Sequence, residues 1–455
     1  MTQPPRVWLR AVWLVFICAC VCGCDDSSPF VFEAVIVDAE GGNPAAGTDA
    51  SALTIGLQEG TLPARETEFP VVDETFDAAV EFESFVVPAR VRVSLEGETT
   101  DLLTAPPQFV PSLSGGLMRL VTTPAASCAR VSFNMMEAPR AFLAMVQSGT
   151  FALVVSGTEA SLDQVEFLDA LEWESRLFLE EFSLATLGPT RATSIDETRV
   201  LVLPQDATAF VFDMEDPQNR VTPLVLHPGA GPASALVSVT GIGAFVIGGE
   251  VGGEPQSAIS VVDAEGLVTS RSLSTPRAGP SATVFGENVL IVGGDGIGSA
   301  EILRAGTSTG QPTASLEDGT RDASLLVGDG VGRALLLGGI DSFGTVRQDT
   351  VAFDGCPDEC TSAPGPTWSR ARLESFQPEG SALVIGGADS ADIDKVRFEG
   401  ADVEIAALFD LVVPRAGASG IVLESGAFIV GGGSDGVSPR DDFEFCVPAA
   451  LEPLE

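Results

Sequence analysis

His227 and four cysteines, Cys128, Cys356, Cys360 and Cys446, are the side chains past residue 30 of this 455-residue chain best suited to nucleophilic, redox or metal chemistry. A Ser-His-Asp arrangement has to use His227, because the chain holds no other histidine. It precedes Pro228 and reads as a loop residue. Zinc would need a second close pair of cysteines or more histidines than one, and Cys356 and Cys360 are the single close pair past the N-terminus. The acidic runs Asp389-Ser-Ala-Asp392-Ile-Asp394 and Gly433-Ser-Asp435-Gly offer the oxygen ligands that calcium takes, but match no complete calcium loop. Asp, Ser and Gly are also what tight turns require. No catalytic residue, cofactor or metal is therefore assigned from these groups.

The elements that carry them repeat. Five glycine doublets each close a short apolar run: Gly248-Gly249, Gly293-Gly294, Gly338-Gly339, Gly386-Gly387 and Gly431-Gly432, at intervals of 45, 45, 48 and 45 residues. An arginine stands sixteen or seventeen residues before four of them, as Arg277, Arg321, Arg370 and Arg415. Upstream the pattern continues with the doublet eroded, Arg140 preceding Ser156-Gly157 and Arg191 preceding Pro204-Gln205. That makes seven units, of which the third has His227-Pro228-Gly229 in place of an arginine. Within a unit two apolar runs flank a turn, the doublet follows, and a third run ends near an aromatic such as Phe167, Phe212, Phe353 or Phe398. Runs of strand length, with no helical spacing, predict four antiparallel strands per unit arranged as the blades of a radial β-repeat. One arginine per blade points to a structural role for these side chains.

Over residues 130 to 446 these units resemble Kelch repeats, in which a glycine doublet is followed by an aromatic and then a tryptophan. Trp173 and Trp368 follow Phe167 and Phe353, and phenylalanine stands where such a repeat usually has tyrosine, a residue this chain lacks. The resemblance implies a seven-bladed Kelch-like propeller. The copper oxidases of that architecture use tyrosines and histidines as ligands, so their chemistry is not expected here. A propeller has to join its last blade to its first, and VPAALEPLE at the end is too short and proline-broken for a final strand. MRLVT at 118–122 or ARVSF at 129–133 is expected to complete the seventh blade, which places Cys128 beside Cys446 within disulfide reach.

At the N-terminus MTQPPRVWLR and AVWLVFICAC form a basic and then an apolar segment, and VCGC at 21–24 resembles a bacterial lipobox with Cys24 as the acylated residue. The expected organisation is a signal at 1–23, a tether at 24–29, a small β-sandwich-like module at 30–115, the propeller at 116–449 and a tail at 450–455. The module is inferred from alternating runs such as FVFEAVIVD and VVPARVRVSLEG. In an exported protein the four remaining cysteines suggest two disulfides, with Cys356 and Cys360 as a local clip. The formal charge of −40 becomes −42 once Arg6 and Arg10 leave with the signal, which argues against nucleic acid as a partner and against attraction to anionic head groups. The reading is a lipid-anchored envelope protein at the outer membrane or cell surface, offering a non-enzymatic binding or scaffolding surface to an envelope protein or glycan. The alternative is a metal-independent carbohydrate-active propeller enzyme.

Overall fold

The computed structural model describes residues 30–448 except 37–48, 60–62, 72–78, 83–88, 98–100, 105–107, 111–115, 124–125, 149–150, 156–164, 170–173, 178–189, 205–207, 215–220, 295, 297, 317–323, 342, 344, 369–374, 377–382, 387–389, 400–401 and 424–425. The described residues are all-β, with no helix, and none of their elements is a helix long and apolar enough to cross a membrane. Cys24 and the signal, Arg321, Arg370, Gly387 and Trp173 lie outside them.

Seven four-stranded antiparallel sheets account for residues from 127 onward. Sheets 1 to 6 are simple meanders over residues 144–177, 191–225, 235–277, 281–315, 325–364 and 375–410, sheet 3 carrying in addition the short strand Glu250–Val251. Sheet 7 takes three strands from the chain end, Ser419–Val422, Phe428–Gly431 and Arg440–Val447, and its fourth from the stretch before sheet 1, Ser127–Arg140. In that pairing Cys446 lies opposite Cys128 and Phe445 opposite Ala129.

The second strand of each sheet is a continuous apolar run because both of its faces are buried. In Asn288–Val292, Val289 and Ile291 point towards sheet 3 while Leu290 and Val292 point towards sheet 5, the period of two that a strand imposes. The same alternation gives seven apolar clusters, one at each junction. They join sheet 1 to 2, 2 to 3, 3 to 4, 4 to 5, 5 to 6 and 6 to 7, and the last packs Ile429, Phe443 and Phe445 of sheet 7 on Met145, Ala152 and Val154 of sheet 1. The sheets thus form a closed cycle.

Residues before 127 form two further sheets. Ala50–Glu59 and Ala89–Gly97 pair at the centre of one, burying Leu53, Ile55, Leu57, Val91, Val93 and Leu95 on a single face. The other sets Phe30–Ile36 between Ala79–Phe82 and Gly116–Thr122, the latter in parallel. The boundary drawn at 115/116 therefore shifts. Gly116–Thr122 is hydrogen-bonded to the N-terminal strand and not to sheet 7, so the cycle begins at Ser127. An apolar strand of this length fits either edge by composition, and only the pairing distinguishes them.

Candidate functional site

The described glycine doublets lie at one end of the cycle, because each follows the second strand of its sheet, and those of sheets 3 and 7 lie against the chain entering the next sheet. Gly249 N–H donates to Arg277 O, and Gly433 N–H donates to Arg140 O. Both doublet positions sit at positive φ, +67° at Gly248 and +115° at Gly249, a region that L side chains rarely adopt. A Cβ on Gly249 would run into the carbonyl of Gly229.

The last doublet shifts by one residue from the sequence reading. Arg277 donates from Nη1 to Gly293 O, and Arg415 makes the matching bond to Gly432 O at 2.8 Å. Gly432 and Gly433 have φ of +61° and +85°, whereas Gly431 is not in that region. The equivalent of Gly293-Gly294 is thus Gly432-Gly433, and Gly431 occupies the place of Val292.

Among the described residues three arginines of the repeat are fully buried, each with a carboxylate from the third strand of the sheet it enters. Arg140 pairs with Glu166 at 2.5 Å, Arg277 with Glu301 at 2.8 Å and Arg415 with Glu444 at 2.8 Å. Glu166, Glu301 and Glu444 stand opposite Val154, Ile291 and Val430 in the ladder, at matching places in their sheets. Buried charges need this kind of partner, since unpaired they cost several kcal/mol. Further bonds fix the groups: Arg277 also reaches Ser299 O and Oγ, while Glu301 accepts from Ser274 N–H and Oγ–H. Arg415 adds Asp442 at 3.0 Å. Burial would raise the Asp442 carboxyl, but its bond with Arg440 and the charges of Arg415 and Arg440 outweigh that and hold it far below the usual carboxylate range. Sequence reasoning does not find these acids. Their signal is a glutamate flanked by apolar residues in the third strand, as in AEI and FEF.

Arg191 differs from the other repeat arginines. It lies within the first strand of sheet 2 and is exposed, and its Nε donates to Pro232 O. Phe210 takes the third-strand position opposite Val202 that an acid holds in sheets 1, 4 and 7.

His227 fills the arginine's place in sheet 3. Its Nε2 is 2.8 Å from Gly248 O, the doublet carbonyl, and its Nδ1 is 2.9 Å from Ser260 Oγ, the residue at the acid's position. A neutral ring with the proton on Nε2 satisfies both contacts, Nε2–H donating to the carbonyl and Nδ1 accepting from the hydroxyl. Burial pushes the imidazole pKa below its usual value, against a smaller upward pull from the bond to Gly248 O. The unfolded chain then takes up the proton at higher pH than the folded chain. The stability that neutral His227 contributes is complete above about pH 6.5 and declines as pH falls from there towards the lower folded-state pKa. Since this is the sole histidine, His227→Gln is expected to flatten the change in urea midpoint between about pH 7.5 and 5.5. An unaltered slope in that variant would place the titration elsewhere.

The cysteine side chains are brought together in two pairs. Cys128 Sγ and Cys446 Sγ are 1.99 Å apart, and Cys356 and Cys360 form the second pair in the loop between the third and fourth strands of sheet 5. Among the described residues the one grouping of metal-type ligands is Cys128, Glu444 and Cys446, which is that first disulfide beside the carboxylate that Arg415 holds. Of the acidic runs, Asp389 lies outside the described residues, Asp435 organises a turn and Asp394 sits within a strand. Asp435 Oδ1 accepts from Val437 and Ser438 N–H, and Asp394 is buried under the indole N–H of Trp368. A pocket of ≈ 670 Å³ opens beside sheet 5, lined by Gln348, Asp349, Val351, Pro364, Pro366 and Trp368 among others. Asp349 is tied to Arg347, and the Trp368 N–H to Asp394.

No protein-family model matches the chain, and no curated protein matches it. Among solved structures, that of YjhT aligns over 68% of this chain and 95% of its own, at 10% identity and a TM-score of 0.42.

Proposed function

We propose that the chain is a seven-bladed Kelch-like β-propeller, preceded by a small β-sandwich-like module and held through an acylated Cys24 in a bacterial envelope, where it acts as a binding or scaffolding surface. The observation that carries the reading is the cycle of seven apolar clusters, the seventh joining the last sheet to the first. Such a ring offers loops at both ends as a contact surface, with a packed interior. Two cysteine pairs at bonding distance fit an oxidising compartment, which is where an exported chain resides. The net charge of −40 disfavours nucleic acid and directs attention to an envelope protein or glycan. A metal-independent carbohydrate-active enzyme on the same scaffold would need arginines facing a ligand. Arg140, Arg277 and Arg415 are instead enclosed with their carboxylates, which favours the binding reading.

The anchor is tested by Cys24→Ser. The wild-type chain is expected to enter the detergent phase on phase separation and to carry fatty-acid label, and the variant to lose both. Label and partitioning that persist in the variant would move the acylated residue to Cys20 or leave an uncleaved segment as the anchor.

A further inference from the structure

Six large apolar side chains among the described residues stand out in solvent, and four of them lie at the doublet end. Val251, Phe343 and Val437 occupy the same kind of place, the tip of the connection from second to third strand, in sheets 3, 5 and 7. Phe343 is 91% exposed and Val437 93%. Val225, at the end of the outer strand of sheet 2, faces the same way because it pairs with Thr208, the first residue of the third strand. Leu267 and Val331 lie at the opposite end.

These tips are built structures. Asp341 Oδ1 accepts from the N–H of Phe343 and of Thr345, both at 2.9 Å, and Ile340 bridges to Val346 beneath them. Asp435 Oδ1 accepts from Val437 and Ser438 N–H, with Ser434 bridged to Ala416 and Pro439. Sheet 3 uses the two-residue strand Glu250–Val251 paired with Glu254 and Pro255. An aspartate two residues back thus fixes the backbone of each exposed apolar residue in sheets 5 and 7. Such a turn needs Asp and Gly or Ser; it has no need of phenylalanine or valine. Single exposed apolar residues are ordinary on any surface, but recurrence at one loop position of one end is not.

Acidic residues outnumber basic ones in each of the three loops. The loop of sheet 3 carries exposed Glu250 and Glu254 and no basic residue. In sheet 5 Arg347 is held by Asp349, and in sheet 7 Arg440 is held by Asp442 and Asp435, so both arginines are neutralised locally. We infer that the doublet end is a docking face for a basic protein partner, whose lysine or arginine side chains meet Glu250 and Glu254 while its apolar side chains cover Val251, Phe343 and Val437. The inference rests on the binding reading above and adds the end of the ring and the chemistry of the occupant. Charge complementarity selects such a partner over an anionic bilayer, which these carboxylates would repel.

The test uses the full chain in detergent with two labelled synthetic peptides, one alternating Lys and Leu, the other alternating Lys and Ser. The Lys/Leu peptide is expected to bind at least tenfold more tightly than Lys/Ser. Val251→Ser/Phe343→Ser/Val437→Ser is expected to abolish that preference, and Leu267→Ser/Val331→Ser at the opposite end to keep it, with both variants melting near the wild type. Equal binding of the two peptides, no binding of either, or an unaffected triple variant overturns the inference. So does Phe343-dependent flotation of full-chain Cys24→Ser with neutral phosphatidylcholine vesicles, which would make the face a membrane contact. A failure here leaves the broader binding reading standing; that reading fails separately if the full chain retains no saturable component from envelope extracts.

Discussion

Replacing Cys128 and Cys446 together by serine is expected to lower the stability of the ring by roughly 5 kcal/mol. The bond spans 318 residues of sequence, so its removal returns to the unfolded chain the loop-closure entropy of nearly all seven sheets. Both cysteines are buried, and the pair clamps the strand Ser127–Arg140 onto Arg440–Val447 at one end of their shared ladder. The effect belongs to the unfolded state, so the same loss is expected when the wild type is unfolded in reductant. Urea midpoints of wild type and variant, with and without reductant, check this: the two proteins are expected to differ only in its absence.

Arg277→Met is expected to cost about 3–5 kcal/mol, the range for breaking a buried ion pair by removing one partner. The methionine fills most of the volume but leaves the Glu301 carboxylate without its cation, and Gly293 O and Ser299 O without a donor. Adding Glu301→Leu removes the stranded charge, and the double variant is expected to be more stable than Arg277→Met alone. A four-protein cycle of denaturation midpoints measures the coupling. Additive losses would mean that the two side chains act independently and that the pair is not a unit of the repeat.

The repeat is legible in the sequence because both of its markers are forced by backbone and charge. A doublet such as Gly248-Gly249 needs positive φ at two successive residues beside another carbonyl, and nothing but glycine does that cheaply. The run Gly431-Gly432-Gly433 offers two doublets, and only the dihedral angles and the bond from Arg415 identify the second as equivalent. The arginines are visible as a period, whereas their acids are hidden by the third strand's variable distance, 24 residues from Arg277 to Glu301 and 29 from Arg415 to Glu444. His227 stands out as the exception in the third unit. Its role depends on Ser260, 33 residues away, which a linear reading has no reason to connect with it. Arg191 looks like a member of the series, but it precedes Pro204 by thirteen residues, three fewer than separate Arg277 from Gly293, and this places it inside a strand facing out. The exposed tips are illegible for a related reason, since Val251, Phe343 and Val437 are distinguished by what fails to cover them.

The central claim is that a strand preceding the first sheet completes the last and closes the ring. Non-reducing peptide mapping of the purified protein tests it most directly. The account predicts one peptide carrying Cys128 linked to one carrying Cys446, and a separate intrachain link between Cys356 and Cys360. Free thiols at Cys128 and Cys446, or either of them joined to Cys356 or Cys360, would contradict it.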